Sequence, residues 1–249
     1  MLFVETPTNP SLECIDLNHV RKVSEETGIP FVADMTFSPP CTTRAFDWGA
    51  ETVVYSLSKY FAGHNDVIGG AIVTKSKQLD EKLRFLQRAI GAILSPDECY
   101  RVIQGMKTLE LRWKKSSDNA LVLARYLSKN EKVKRVLYPG LVTHPTHAIA
   151  KRQMKNGFGA VVSFELHCQD RKKIKRFVDE IQKNDLVLYG ESLASPETIL
   201  AYPPLMSHGS VPKDVREKLG ITDGFFRLSL GFEDSEDIIG EFERALEIL

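Results

Sequence analysis

Residues 51–66 read ETVVYSLSKYFAGHND, a short apolar run that gives out at Ser56, Ser58 and Lys59 before turning at Gly63. A few β-branched and aromatic residues bounded by turn signals mark a buried strand. The neighbouring sequence repeats the pattern. LFVE (2–5), IPFVAD (29–34) and GGAIVT (69–74) read as further strands, and DLNHVRKVSEETG (16–28) as a helix opened by Asp16 and stopped by Gly28. Three of these four strands are apolar throughout, as strands covered on both faces are. The alternation predicts an α/β fold with a mostly parallel sheet.

Further along, amphipathic patterns predict helices over 77–90 and 95–129, the second with Pro96 at its first position, where a missing N–H is harmless. The texture then changes. VKRVLYPG (133–140), GAVVSFEL (159–166), DLVLYG (185–190) and FFRLSL (225–230) read as strands, interleaved with helices near 145–155, 170–183 and 234–248. This predicts a boundary near residue 130, between a larger domain (1–130) and a smaller C-terminal α/β domain (131–249).

The 249 residues carry 43% hydrophobic and 27% charged side chains, an ordinary balance for a globular protein. Lys+Arg and Asp+Glu number 33 each, so net charge draws the chain to neither nucleic acid nor membrane. The opening MLFVETPTNP lacks the basic and apolar regions of a signal peptide, and no apolar run reaches the ~18 residues of a membrane span. The expectation is a soluble, cytoplasmic chain whose partners are small molecules and other protein chains. Cys14, Cys41, Cys99 and Cys168 lack C-x-x-C spacing and read as reduced thiols. His144 and His147 have no further ligands in the pattern, so no metal is expected.

Ligands of an open α/β sheet sit at the carboxyl ends of its parallel strands. Three predicted strands end in polar residues: Thr6 to Asn9, then Asp34, then Ser56, Ser58 and Lys59. Serine hydroxyls beside a lysine suit an anion, a carboxylate can keep a ring nitrogen protonated, and a lysine amine forms an imine with an aldehyde. Together they describe a pyridoxal 5'-phosphate (PLP) site. Singly, each has a plainer reading: a solvated loop lysine, a turn-capping aspartate, two strand serines.

Seven segments carry a resemblance that covers nearly the whole chain. VETPTNP (4–10), VADMTF (32–37), SLSKYFAGHNDVIGG (56–70), GMKTLELR (105–112), LYPGL (137–141), HPTHAIAKRQM (144–154) and RLSLGFED (227–234) together resemble the Cys/Met-metabolism PLP-dependent enzymes. That group includes cystathionine γ-synthase, γ-lyase and β-lyase, methionine γ-lyase and O-acetylhomoserine sulfhydrylase. The resemblance implies an aspartate aminotransferase-type fold with PLP as cofactor. It also implies that Lys59 forms the imine and carries protons, that Asp34 pairs with the ring nitrogen, and that Ser56 and Ser58 bind the phosphate. Arg227 would clamp the substrate carboxylate beside Asn9 and Ser192. Glu191-Ser192 resembles the ES of γ-synthases and γ-lyases, where a carboxylate can meet the distal amino group of cystathionine. The implied reaction is β- or γ-elimination or γ-replacement on cystathionine or an O-acylhomoserine, of γ-synthase or lyase type with β-lyase next and O-acetylhomoserine sulfhydrylase as the alternative, in a homo-oligomer, dimer or tetramer. His64 is read as structural.

GHND (63–66) resembles the family's G-H-S-D, and the departures from the family pattern are Met35 for an asparagine and Ala194-Ser195-Pro196 where glycines are usual. The chain also opens at a strand that lies well inside the family's cofactor domain. An N-terminal arm, a glycine-containing phosphate loop and a ring-stacking tyrosine are therefore expected from elsewhere. Three readings stand at this point: an enzyme completed by a further segment, a non-catalytic remnant that binds PLP weakly, and a small-molecule binding module.

Overall fold

The computed structural model describes residues 1–249. Its elements run β1 (Leu2–Glu5), α1 (Leu17–Thr27), β2 (Phe31–Asp34), β3 (Thr52–Ser56), a widened helical turn (Leu57–Phe61) and β4 (Gly70–Thr74). There follow α2 (Lys77–Ile90), α3 (Pro96–Met106), α4 (Leu109–Leu127), β5 (Val133–Leu137), α5 (His147–Gln153), β6 (Val161–Leu166) and α6 (Arg171–Ile181). The chain ends with β7 (Val187–Tyr189), β8 (Thr198–Ala201), α7 (Lys213–Lys218), β9 (Phe225–Ser229) and α8 (Ser235–Leu246).

The first sheet has the order β1-β2-β3-β4. Its first three strands are parallel, with Glu5 opposite Asp34 and Asp34 opposite Val54, so their carboxyl ends lie along one edge. Asp16 caps α1 by accepting from Asn18 N–H, and Gly28 ends the helix in a left-handed conformation. Leu17 and Val20 of α1 then pack on Phe31, Ala33, Val53 and Tyr55. Met35 is fully buried in the same cluster, so the residue that replaces the family's asparagine faces the core.

The first sheet is mostly parallel, as expected, and GGAIVT forms its antiparallel edge against β3, with Ser56 opposite Gly70. Two expectations are corrected here. The first sheet is not covered on both faces: Phe3 and Ile72 are more than half exposed, and α2 buries none of its residues. The helix expected over 95–129 is two helices. Gly105's carbonyl is bonded by the Arg112 guanidinium and the Thr108 hydroxyl, which breaks the ladder at Lys107 and Thr108.

The second sheet has the order β5-β6-β9-β8-β7 and is antiparallel except between β7 and β8. β8 has no counterpart in the sequence reading. Thr198–Ala201 is only four residues long and follows a polar, proline-containing stretch, which masks it. The central strands β6 and β9 are wholly buried. Phe164 and Phe226 stack at 5.4 Å, with Phe177 and Phe242 of α6 and α8 packed edge-on or tilted around them. Ala120, Leu123, Ala124 and Leu127 of α4 complete this core. A separate cluster around Trp113, including Leu12, Phe37, Tyr60, Val161 and Leu193, joins the two sheets and brings the strand ends of one against the loops of the other.

Candidate active site

Lys59 sits in the widened turn that follows β3, at a point where the backbone leaves helical geometry (φ −100°, ψ −126°). Such single-turn widenings are frequent at functional sites. The turn is held from behind. Arg112 Nη2 donates to the carbonyls of Tyr60 at 2.8 Å and Gly105 at 2.7 Å, while Gly63 N–H donates to Lys59 O at 2.8 Å. A side chain at Gly63 would place its Cβ 1.8 Å from Arg112 Nη1, and one at Gly105 would meet Ala62 O at 2.3 Å. Both glycines therefore answer to close approach.

In front of the turn, Lys59 Nζ donates to Ser192 Oγ at 3.1 Å, and Ser192 Oγ donates to Asn65 Oδ1 at 3.1 Å. Arg227 of β9, almost fully buried, donates through Nη2 to Ser192 O at 2.9 Å and through Nη1 to Asn9 Oδ1 at 3.0 Å. Its Nε–H is buried without any acceptor. An unpaired buried donor is costly, so an incoming carboxylate oxygen would find a ready partner there. Ser192 (φ 90°) and Ala194 (φ 66°) both occupy the left-handed region without being glycine. The family's glycine position is thus held by an alanine in a glycine-like conformation.

Burial pushes the Lys59 amine below its ordinary value, the Arg227 charge adds to this, and Glu191 opposes it. Burial likewise lowers Arg227, again opposed by Glu191. Asp34 ends β2 next to the Lys59 strand. One of its oxygens accepts from Thr36 N–H at 2.9 Å, and Thr36 Oγ1 accepts from Ser56 N–H at 2.9 Å. Glu5, its register neighbour, is pushed up by burial and then by the Asp34 charge.

Of the residues singled out in the sequence, Lys59, Ser192, Arg227 and Asn9 form one hydrogen-bonded line. Asp34 and Ser56 lie at the same sheet edge, linked through Thr36. Glu191 is exposed and reaches the group through its charge. The Ser58 hydroxyl accepts from Gly69 N–H at 2.9 Å and thereby ties the turn to the start of β4. His64 donates to Ala62 O, and His147 bonds Pro139 O. No group of three His, Cys, Asp or Glu side chains converges as metal ligands, and all four cysteines are free. Asn65 and Arg112 were missed as site residues. Their partners are a distant hydroxyl and backbone carbonyls, which leave no spacing signal; the only hint was the asparagine in GHND.

Known structures define the class first. A cystathionine γ-synthase from Xanthomonas oryzae, solved with aminoacrylate and cysteine, superposes with a TM-score of 0.93 at 36% identity, covering 99% of this chain and 62% of that one. A cystathionine γ-lyase from Lactobacillus plantarum, solved with L-serine, gives 0.91 at 39% identity, covering 98% and 63%. The fold is therefore the α/β fold of those enzymes. The chain belongs to the Cys/Met metabolism PLP-dependent enzyme family, whose sequence profile matches residues 1–247. Curated relatives include the cystathionine β-lyase of Coxiella burnetii, 44% identical over 247 residues, and the cystathionine γ-lyase of Dictyostelium discoideum, 40% identical. Each match covers 99% of this chain, which spans 62% of the length of these relatives.

Proposed function

We propose that the chain carries the lysine and arginine of a PLP-dependent trans-sulfuration enzyme of cystathionine γ-synthase or lyase type, acting on cystathionine or an O-acylhomoserine. The observation that carries this reading is the line Lys59–Ser192–Arg227–Asn9, which sets an amine of lowered proton affinity beside a guanidinium with an N–H to spare.

The donor set suits a phosphorylated pyridine aldehyde: an amine, a strand-end carboxylate with one oxygen engaged by Thr36, and two serine hydroxyls. Lys59 would bind the carbonyl carbon, Asp34 would hold the proton on the ring nitrogen, and Ser56 and Ser58 would take the phosphate. PLP, when bound, supplies an electron sink for bond breaking at the substrate Cα. The chain's own residues do the rest. Arg227 orients the substrate carboxylate through its planar fork, with Asn9 fixing the guanidinium. Lys59, whose amine gives up its proton more readily than a free lysine because it is buried and faces the Arg227 charge, takes the Cα proton and returns one further along the side chain. Glu191 would meet the distal amino group of cystathionine.

Relatives named for β-cleavage and for γ-cleavage are 44% and 40% identical. Neither Lys59 nor Asp34 chooses between these reactions, since both serve bond breaking at Cα. The choice lies in the pocket for the distal side chain. We place the two sheets in domains 1–130 and 131–249, and assign the functional form to a homo-oligomer, dimer or tetramer.

The test is a product assay with cystathionine on PLP-loaded protein. Pyruvate with homocysteine reports β-cleavage, and 2-oxobutyrate with cysteine reports γ-cleavage. No product from cystathionine, and none from an O-acylhomoserine with cysteine, would overturn the reading. Lys59→Ala should abolish the coloured PLP adduct.

A further inference from the structure

Asn65 stands where the Lys59 turn runs out, on a left-handed backbone conformation (φ 54°) that asparagine tolerates better than most residues. It is exposed and outside every core cluster, so packing does not account for its orientation. Its amide oxygen accepts from the Ser192 hydroxyl at 3.1 Å, and that hydroxyl oxygen in turn accepts from Lys59 Nζ at 3.1 Å. We infer that Asn65 is a positioning residue for Lys59, its amide orienting the Ser192 hydroxyl to match each protonation state of the amine. The inference rests on reading Lys59 as the reactive amine.

An ammonium only donates, so Ser192 Oγ must offer it a lone pair and send its own proton elsewhere; Asn65 Oδ1 receives it. Once Lys59 has given up a proton, its nitrogen carries a lone pair and the preferred order reverses. Ser192 then donates to Nζ, and its oxygen accepts from Asn65 Nδ2 after the amide turns about χ2. Only hydrogen bonds are exchanged in this switch, and no covalent bond changes beyond the lysine's own proton transfer.

An amide serves both orders because its tip carries an acceptor and a donor. A carboxylate at the same place accepts only, and would favour the order in which Lys59 is charged. Ser192 is well placed for the role because its carbonyl is held by Arg227 Nη2 at 2.9 Å, which fixes the residue on the Lys59 side of the loop. The charged groups that bear on Lys59 are Arg227 on β9 and Glu191 in the loop after β7. Neither hydrogen-bonds the Ser192 hydroxyl or the Asn65 amide, so the influence of Asn65 is separable from theirs.

The experiment follows the pH dependence of Lys59 reductive methylation by formaldehyde and cyanoborohydride, read by peptide mass, in the full chain and in N65D, S192A and the double variant. Aspartate tolerates the same left-handed backbone, and thermal unfolding checks that each variant is folded. N65D should raise the midpoint by about one pH unit, which slows labelling about tenfold below the midpoint. In the S192A background that shift should shrink to less than half, as coupled residues in a double-mutant cycle require. An unmoved midpoint in N65D, or an equal shift with and without Ser192, overturns the inference. Borohydride trapping with PLP tests the underlying assignment separately. Label on Lys59 upholds that assignment, and label elsewhere or nowhere overturns it whatever the methylation profile.

Discussion

The Arg112 guanidinium donates to the backbone carbonyl of Tyr60 at 2.8 Å, inside the turn that presents Lys59, and no carboxylate shares it. The same nitrogen holds Gly105 O at 2.7 Å, and Nε donates to Thr108 Oγ1 at 3.1 Å. Burial lowers the proton affinity of this guanidinium. Arg112→Leu should leave buried carbonyls unpaired and destabilise the chain by about 2–4 kcal/mol. The shift of the urea midpoint measures this, and an unchanged midpoint would show that water substitutes for the guanidinium.

Gly63→Ala acts on the same latch from the other side. A Cβ there meets Arg112 Nη1 at 1.8 Å on a backbone at φ 72°, so the guanidinium must move and the conformation is strained. The expected outcome is a loss of about 1–3 kcal/mol together with a loss of PLP trapping at Lys59. Retention of full trapping would show that the turn does not depend on the latch.

Ala194→Gly should do the opposite. A left-handed alanine costs about 1–2 kcal/mol relative to an unstrained one, and glycine relieves this while giving up some chain entropy and a small buried methyl. A net gain of about 0.5–1 kcal/mol in thermal unfolding is expected. A loss would mean that the packing of the methyl outweighs the backbone strain.

Arg227→Lys keeps the charge but loses the fork that bonds Asn9, Ser192 and an incoming carboxylate at once. KM for an amino-acid substrate should rise by about tenfold or more, with a smaller change in kcat. Equal KM values would remove Arg227 from the binding of the carboxylate.

Asp223 provides a pH dependence away from the site. Hydrogen bonds from Arg171, joined by one from the buried Arg216, bring its carboxyl down to about 2, against the opposing effect of burial. A carboxylate depressed in the folded state stabilises above its unfolded value and loses that contribution as pH falls toward the folded one. Stability should therefore decline between about pH 4 and pH 2, and Asp223→Asn should flatten this part of the profile. An identical acid limb in the variant would assign the effect to other carboxylates.

Legibility followed the range of the interactions involved. β2, β3 and α1 were plain because apolar runs, an Asp16 cap and a Gly28 stop are local signals. The direction of β4, the existence of β8 and the break at Thr108 depend on what lies across the sheet or behind the turn, and no window of sequence holds that information. The site divided in the same way. Strand ends pointed to Asp34, Ser56 and Lys59 from the residues themselves. Ser192 and Arg227, more than a hundred positions away, came from the resemblance alone, and Asn65 and Arg112 came from neither.

The bare face of α2 has a practical meaning. Its 14 residues bury none of their side chains, with Phe85, Leu86 and Ile90 turned to solvent. With only Leu79 and Leu83 half-buried among its apolar residues, the helix gains little from tertiary packing and leans on its intrinsic propensity, which is marginal at this length in water. For the chain on its own, the first difficulty at the bench would therefore be colloidal rather than catalytic: a sticky, fraying segment that exchanges its amide protons early, invites proteolytic nicking and limits the concentration at which the lysine can be assayed at all.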